Sequence, residues 1–490
     1  MLNLLPAVLS AALLILCFPR FDIGWLATIA LAPLLIACAR EPRANRRFLL
    51  GWAAGIVYWW GVCYWVQGVL ETHGGIAAWV AWLLFALFCL AKGLHMAVFA
   101  LLARPLMRLS WAVLAVPALW VAIEITHGYL GFAWLTLGNA GLQMSVPMRL
   151  APFTGTYGIS FAFMMLATAL ALALLRRPRT QLLGIVLLPG LILLPRLPEP
   201  KRGAQTAILV QPDIDEGAQW TREFVDKSQE RLLGMSLRAG LGWSDADILV
   251  WPEMPGPFYY YEDARFRDDV TNVARITRMH FLLGTVAHTE TLAPLNSALL
   301  VAPTGEPVVR YDKIKLVPFG EFVPWPFTAI VTNISSEAGD FVAGNRPVIM
   351  PVHDHQIGTF ICYESVFPHL VRQFARQGAE ALFNISNDGW FARSSAREQH
   401  LNLVRMRAAE NRRWILRGTN DGITAAIDPA GRIVHITPQY IETVSRAHYD
   451  YIRETTLYTR TGDWFAILCA IIAGAGLLVS RGGLRARRRP

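Results

Sequence analysis

Charged residues are scarce in this sequence. Asp, Glu, Lys and Arg make up 17% of its 490 residues, whereas 54% are hydrophobic, and the mean hydropathy is +0.36. Soluble globular domains usually contain about 25% charged residues. The composition therefore excludes a chain that is soluble throughout, and we expect part of it to lie in a lipid bilayer.

Cysteine is also scarce, and its placement is uneven. Between residues 196 and 462 the only cysteine is Cys362, which excludes a disulfide within that segment. An unpaired thiol is either a small buried hydrophobic residue or a reactive nucleophile, and the composition leaves both interpretations open. The other cysteines lie in or beside apolar runs, at Cys17, Cys38, Cys63, Cys89 and Cys469.

Several signatures of bound groups are missing. The sequence contains no phosphate-binding P-loop and no dinucleotide fingerprint. His353 and His355 would share one face of a strand, but no third metal ligand follows them at a suitable spacing. We therefore expect neither a cofactor nor a metal ion.

Long uncharged runs dominate the two ends of the chain, and most approach the roughly 20 helical residues that cross a bilayer. They predict a multi-span α-helical membrane bundle of about seven spans over residues 1–195, and one further span within 463–490. No basic residue precedes the first run, which favours a retained helix over a cleaved signal peptide. The runs lie near residues 1–19, 22–38, 49–70, 77–103, 110–123, 158–175, 181–195 and 464–480.

Arginines cluster in short segments next to these runs, at residues 38–47, 104–108, 176–179 and 481–490. Positively charged loops stay on the cytoplasmic side of a membrane. All four segments fall on that side if the chain starts in the cytoplasm and every run crosses once. Both termini are then cytoplasmic and residues 196–462 are exported. The basic tail is a topology anchor, so we expect no nucleic-acid partner.

Residues 196–462 alternate short β-type runs with amphipathic helical runs, which is typical of an α/β domain. Two aromatic segments with Pro and Gly, 255–263 and 323–347, interrupt this alternation. We interpret them either as lids or membrane contacts, or as packed surface loops. The predicted strands are 206–211, 247–252, 281–286, 297–303, 307–312, 357–362, 381–386, 414–419, 423–428 and 432–437. The predicted helices are 220–240, 262–277, 365–377 and 396–413.

Three ionisable residues stand at the ends of predicted strands: Glu253, Lys313 and Cys362. Strand ends of an α/β sheet meet at one edge, where active sites are built. A thiol is mostly protonated at neutral pH, so it needs a base such as a carboxylate. A nearby cation favours the thiolate and stabilises an oxyanion. The set predicts acyl transfer through a thioester, with Lys315 as the alternative to Lys313 because residues two apart share a strand face.

Four short motifs resemble the nitrilase superfamily: WPE at 251–253, YDK at 311–313, CYE at 362–364 and NISNDGWF at 384–391. The resemblance implies an exported αββα sandwich with a Glu, Lys and Cys triad. With the apolar runs, the strings LVPFGEFVP and ICYESVFP are similar to the apolipoprotein N-acyltransferases of the bacterial inner membrane.

This resemblance implies an N-acyltransferase. Cys362 would take an acyl chain from a membrane phospholipid and pass it, in the periplasm, to the α-amino group of diacylglyceryl-cysteine at the N-terminus of an apolipoprotein, completing lipoprotein maturation. Glu253 would be the base and Lys313 the cation that stabilises the oxyanion. The resemblance also implies supporting or substrate-binding roles for Glu321, Tyr363, Glu364, Asn296 and Trp220.

Two alternative functions remain. A membrane-tethered amidase of the nitrilase type would hydrolyse a C–N bond with the same triad. A lipid or lipoprotein receptor would have no need of the triad. Within the apolar runs, Lys92, His95 and Glu124 are costly in a bilayer. Each of them is functional, or is paired with other groups, or extends its charged end to the membrane interface.

Overall fold

The computed structural model describes residues 3–215, 217–323 and 341–486. The chain divides into two compact units. Unit 1 comprises residues 1–67, 78–197 and 461–490, and unit 2 comprises residues 68–77 and 198–460. Unit 2 is therefore discontinuous in sequence. Its short first segment contributes His73, whose ring packs on that of Trp390 with the centroids 4.7 Å apart.

Unit 1 is helical. Short 3-10 helices, at Gly24–Thr28, Leu137–Gln143, Pro147–Leu150, Arg179–Leu187 and Pro189–Leu193, connect or extend its α-helices. The α-helices are Leu4–Leu16, Ala32–Arg40, Ala44–Val62, Trp65–Thr72 (which runs on into unit 2), Ala78–Leu106, Ala112–Glu124, Thr126–Tyr129, Ala151–Thr154, Thr156–Leu174 and Trp464–Ala486.

Among the described residues, four helical segments are long and apolar enough to cross a membrane: Ala78–Leu106, Ala112–Tyr129, Thr156–Leu174 and Trp464–Arg481. A fifth span results if Ala44–Val62 and Trp65–Thr72, bent by 58° at their junction, are taken together. The remaining apolar runs form shorter helices. The run 181–195 forms the 3-10 segments Arg179–Leu187 and Pro189–Leu193, and Pro189 begins the second of them. The count of eight spans stays a prediction.

Small residues let two of the long helices approach closely. A Cβ atom on Gly51 would come within 2.4 Å of the carbonyl oxygen of Met96, so only glycine fits where helix Ala44–Val62 crosses helix Ala78–Leu106. Small residues at helix crossings are typical of bundles in lipid, because packing replaces the hydrophobic effect as the driving force there.

The ionisable residues Lys92, His95 and Glu124 of unit 1 each contact other groups inside the unit. The ammonium of Lys92 contacts Nδ1 of His127 and donates to the carbonyl oxygen of Phe132 at 2.9 Å. The imidazole of His95 stacks on that of His127. Glu124 accepts from the backbone N–H of Leu137 at 2.7 Å and from the indole of Trp120. These contacts favour the interpretation that the buried charges are paired inside the bundle.

Unit 2 contains two six-stranded sheets. The first has the order β12-β1-β2-β3-β4-β5 and the second the order β11-β10-β9-β8-β7-β6. The strands are β1 (Gln205–Gln211), β2 (Ile248–Val250), β3 (His280–His288), β4 (Pro294–Val301), β5 (Pro307–Asp312), β6 (Ile349–Val352), β7 (His355–Ile361), β8 (Ala381–Ser386), β9 (Ile415–Thr419), β10 (Ala425–Ile427), β11 (Ile433–Ile436) and β12 (Thr443–Tyr449).

The two sheets form the inner layers of an αββα sandwich. Strand β1 of the first sheet contacts β9 of the second. Helices Arg222–Gly242 and Ala264–Thr277 cover the first sheet, and apolar side chains such as Leu232 and Phe266 are buried against it. Helices Pro368–Arg376 and Ala396–Asn411 contact the second sheet. The α/β class predicted for this part of the chain is confirmed.

The ten predicted strands are present, with ends that shift by a few residues, and two further strands complete the sheets. Strand β6 contains Pro351 and pairs with β7 on one side only, at the edge of its sheet, where proline is tolerated. Strand β12 pairs with β1 over seven positions. His353 lies in the turn between β6 and β7, so the expectation that it shares a strand face with His355 is wrong.

Candidate active site

The sequence-predicted triad residues follow three strands of the two sheets. Glu253 comes three residues after β2, Lys313 directly after β5, and Cys362 directly after β7. Gly284 on β3 makes room for the first of them, because a Cβ atom there would come within 2.8 Å of Cα of Glu253. The structure brings these three residues together, and each is at most 6% exposed.

Lys313 lies between two carboxylates. Its ammonium donates to Oε1 of Glu253 at 2.8 Å and to Oε1 of Glu321 at 2.9 Å. Burial alone would lower the pKa of Lys313, but the two carboxylates outweigh this and hold the pKa well above its ordinary value. The residue is therefore a permanent cation. Lys315, the alternative from the sequence, instead places its ammonium over the ring of Phe367.

The carboxylate of Glu253 is held on both oxygens. Besides the bond from Lys313, Oε1 accepts from the amide of Asn296 at 2.8 Å, and Oε2 accepts from the backbone N–H of Asn387 at 2.9 Å. The same Asn296 amide donates to Glu321 at 2.6 Å. Asn296 thus joins the two carboxylates rather than standing apart from them, and the group carries one more negative than positive charge.

Cys362 has an uncommon backbone conformation. Its φ of 49° lies in the left-handed region, where a residue other than glycine is strained and is often found at a functional site. The residue begins the 3-10 turn Cys362–Val366. Burial and the charge of Glu253 raise the pKa of the Cys362 thiol, and the charge of Lys313 lowers it by less. The Cys362 thiol is consequently protonated at neutral pH.

Glu364 binds the backbone on both sides of the site. Its Oε1 accepts from the phenol of Tyr311 at 2.6 Å and from the N–H groups of Ile314 and Lys315, and its Oε2 accepts from the N–H of Ile361 at 2.7 Å. Burial raises the pKa of Glu364, although these donors oppose the shift. The carboxyl group links the end of β5 to the end of β7.

The remaining sequence-predicted residues lie around this centre. The ring of Tyr363 is buried and packs edge-on against Phe367, with the centroids 5.3 Å apart. Trp220 is 38% exposed and lies against Gly256, in the loop that follows Glu253. No hydrogen bond among the described residues joins its side chain to the triad. The other predicted loop, 323–347, lies outside the described residues from 324 to 340.

Sequence reasoning missed three buried polar residues on and beside the second sheet. Asp388 follows β8, His400 lies on helix Ala396–Asn411, and Arg417 lies on β9, and all three are fully buried. Burial alone would raise the pKa of Asp388, but Arg417 and His400 hold it well below its ordinary value. Asp388 stands within the NISNDGWF motif, and that string was the available signal. His400 and Arg417 have no such signal in the sequence, because only the fold brings them to Asp388.

Comparisons with known proteins match most of the chain. Residues 10–169 match the family described as Apolipoprotein N-acyltransferase N-terminal domain, and residues 202–456 match Carbon-nitrogen hydrolase. Apolipoprotein N-acyltransferase from Geobacter metallireducens is 35% identical over 97% of this chain and 94% of its own length. The Pseudomonas putida protein of the same name is 30% identical over 98% of this chain and 97% of its own length.

Among solved structures, an amidase of the nitrilase superfamily from Nesterenkonia AN1 matches with a TM-score of 0.41 and 16% identity, covering 55% of this chain and 98% of that protein. The αββα sandwich and the carbon-nitrogen hydrolase match define a nitrilase-type protein, joined here to a helical membrane unit. Within that class, the chain belongs to the apolipoprotein N-acyltransferase family.

Proposed function

We propose that the chain transfers an acyl group from a membrane phospholipid to the N-terminal α-amino group of diacylglyceryl-cysteine in an apolipoprotein. The observation that carries this proposal is the buried cluster of Glu253, Lys313 and Cys362, in which the ammonium of Lys313 donates to Glu253 at 2.8 Å. Nucleophile, base and cation lie together, as acyl transfer requires. The names of the relatives support the lipoprotein acceptor.

In the first half-reaction, Glu253 accepts the thiol proton while the sulfur of Cys362 attacks an ester carbonyl of the phospholipid. Because the thiol pKa is raised, proton transfer accompanies the attack and no thiolate forms beforehand. The ammonium of Lys313 stabilises the oxyanion. When the C–O bond breaks, Glu253 returns the proton to the leaving oxygen, and a lysophospholipid departs.

In the second half-reaction, the free α-amino group attacks the thioester on Cys362. Glu253 accepts a proton from the nitrogen, and Lys313 again stabilises the oxyanion. Collapse breaks the C–S bond, forms the amide and restores the protonated thiol. In this proposal, Glu321 and Asn296 hold Lys313 and Glu253 in place. Glu364 holds the turn at Cys362, and Tyr363 and Trp220 lie on the substrate side of the site.

The proposal places the chain in a bacterial inner membrane, where both lipid substrates reside. Residues 1–195 and 463–490 form the membrane part, residues 196–462 form the catalytic domain in the periplasm, and both termini are cytoplasmic. The four arginine-rich segments support this orientation. A membrane-impermeant amine reagent added to intact spheroplasts should label lysines of the catalytic domain.

The decisive experiment follows a labelled acyl chain. Purified protein is incubated with phospholipid vesicles that carry a labelled acyl chain, and then with a diacylated lipopeptide that has a free N-terminus. We expect a hydroxylamine-sensitive label on the protein that moves to the lipopeptide. Cys362→Ser should abolish this transfer, while Ser394→Ala, a change outside the cluster, should not.

Two results would contradict the proposal. If Cys362→Ser transferred the label at the rate of the unmodified protein, another residue would carry the acyl group. If the label left as free fatty acid with lipopeptide present, water would be the second nucleophile, and the chain would be a hydrolase of the nitrilase type.

A further inference from the structure

A buried network lies behind Cys362 in the second sheet. Nε2 of His400 is 3.0 Å from the carbonyl oxygen of Cys362, and its Nδ1 is 3.1 Å from Oδ1 of Asp388. Nη2 of Arg417 donates to both oxygens of Asp388 at 2.7 Å and lies 3.1 Å from Nδ1 of His400. The Ser386 hydroxyl donates to Asp388 at 3.0 Å. His400 thus contacts the backbone of Cys362, and residues from three other segments hold His400 and one another.

The contacts place a hydrogen on one nitrogen of the His400 ring. A carbonyl oxygen only accepts, so Nε2 must carry the hydrogen that faces Cys362. Burial and the charge of Arg417 lower the pKa of His400, and the Asp388 carboxylate opposes this shift. Nδ1 lies 3.1 Å from both the Asp388 carboxylate and the Arg417 guanidinium, and these two groups fix the plane of the ring. Asp388 completes the arrangement by holding Arg417.

We propose that His400 is a positioning residue for Cys362: its Nε2–H holds the Cys362 carbonyl, and with it the left-handed backbone that directs the thiol towards Glu253 and Lys313. This inference rests on the proposed function, in which Cys362 is the nucleophile. His400 touches no substrate in this role. It acts through the peptide group of Cys362, and Asp388 and Arg417 act through His400.

The backbone conformation of Cys362 explains why a hydrogen bond to its carbonyl oxygen is useful. A φ of 49° at Cys362 costs of order 1–3 kcal/mol for a residue other than glycine and persists only where the surroundings enforce it. The strained residue is the one whose side chain must meet the base. A misplacement of about 1 Å at a reacting atom can lower a rate about a hundredfold. A donor fixed by a buried ion pair limits that movement.

The test compares two substitutions of similar size. His400→Gln keeps an N–H donor at nearly the same reach, whereas His400→Leu removes it. The readouts are the single-turnover rate of thioester formation from labelled phospholipid vesicles, its half-saturating lipid concentration, and the rate at which iodoacetamide alkylates Cys362 across a pH series. Thermal unfolding of each full-length variant in detergent reports folding.

We expect His400→Leu to lower the acylation rate about tenfold to a hundredfold, with an unchanged half-saturating lipid concentration and an altered pH profile of alkylation. His400→Gln should stay within about threefold of the unmodified protein. His448→Leu, at a half-buried histidine on β12, is the matched control and should leave every readout unchanged. If His400→Leu fails to fold, His400→Asn, which is polar but too short to reach the carbonyl, takes its place and should show the same loss.

The inference would be overturned if a folded His400→Leu or His400→Asn protein acylated at the unmodified rate, or if His400→Gln lost as much as His400→Leu. Failure of the proposed function looks different. In that case the unmodified protein forms no thioester from phospholipid. The alkylation profiles of the unmodified protein, His400→Leu and His400→Gln still report how Cys362 is held.

Discussion

The carboxylate of Glu364 and the phenol of Tyr311 form a buried hydrogen bond of 2.6 Å that links the two sheets. Tyr311 lies on β5, two residues before Lys313, and Glu364 lies two residues after Cys362. Any movement of the turn at Cys362 is therefore transmitted to the strand that carries the cation. Glu364 therefore holds the geometry of this turn, since its oxygens accept from the Tyr311 phenol and from backbone N–H groups.

Glu364→Gln should destabilise unit 2 and slow acylation together. The glutamine amide presents N–H groups where Glu364 accepts from four donors, so at least one buried donor is left unpaired. Such a loss costs about 1–3 kcal/mol, measurable as a lower midpoint of thermal unfolding. Glu306→Gln, an exposed carboxylate in a weak surface ion pair, is the control. Unchanged stability of Glu364→Gln would mean that the four bonds contribute little.

Glu253→Gln should shift two measurements of Cys362 in opposite directions. Acylation by labelled phospholipid should fall about 10²–10⁴-fold, because the general base is gone. Alkylation of Cys362 by iodoacetamide near neutral pH should become faster, because the charge of Glu253 is a cause of the raised thiol pKa, and its removal increases the thiolate fraction. If both rates fell, the variant would have displaced the thiol and the assignment of the base would fail.

The ion pair of Asp388 and Arg417 should stabilise the fold in a pH-dependent way. The folded pKa of Asp388 is depressed below the ordinary value of 3.8, so its stabilisation is complete above that value and is lost as the pH falls through the folded pKa. Asp388→Asn should therefore cost about 3–5 kcal/mol at neutral pH and progressively less in acid. Thermal unfolding at neutral and acid pH measures both.

A control for that measurement is Asp245→Asn, whose carboxylate pairs with Arg446 on the surface, where the side chain of Asp245 is 61% exposed. Exposed pairs contribute about 0–1 kcal/mol. A penalty for Asp388→Asn that did not exceed the control, or that grew in acid, would contradict the assignment.

Lys92→Met should lower stability and leave acyl transfer within about threefold of the unmodified rate. The Lys92 ammonium donates to the carbonyl of Phe132 and contacts His127, so its removal leaves buried partners unpaired at a cost of about 1–3 kcal/mol. Lys227→Met, at an exposed lysine, is the control. Loss of transfer at unchanged stability would restore the functional interpretation of Lys92.

The strand ends of unit 2 could be predicted because each carries a chemically distinct residue after a short apolar run. Glu253, Lys313 and Cys362 stood out for that reason, and the fold brings them to one place. The network of Asp388, His400 and Arg417 could not be predicted in the same way. Its members lie on a loop, a helix and a strand, and buried polar side chains within such elements have no local pattern that separates them from surface residues.

The helical unit 1 was less predictable than unit 2. Apolar composition identifies runs that leave water, but it does not determine whether a run of about 15 residues becomes a spanning helix or a series of short turns. Residues 179–193 form two 3-10 segments, of which Pro189 begins the second. Edge strand β6 was not predicted because it contains Pro351. Proline argues against a strand except at an edge, where one side of the strand has no partner.

The segment 68–77 has a consequence for exchanging parts between relatives. It belongs to the same compact unit as residues 198–460, although about 120 residues of the other unit separate them. A fragment cut at residues 198 and 460 would leave Trp390 without the ring of His73. A chimaera that takes unit 2 from one relative and unit 1 from another therefore needs four junctions, before residues 68, 78, 198 and 461.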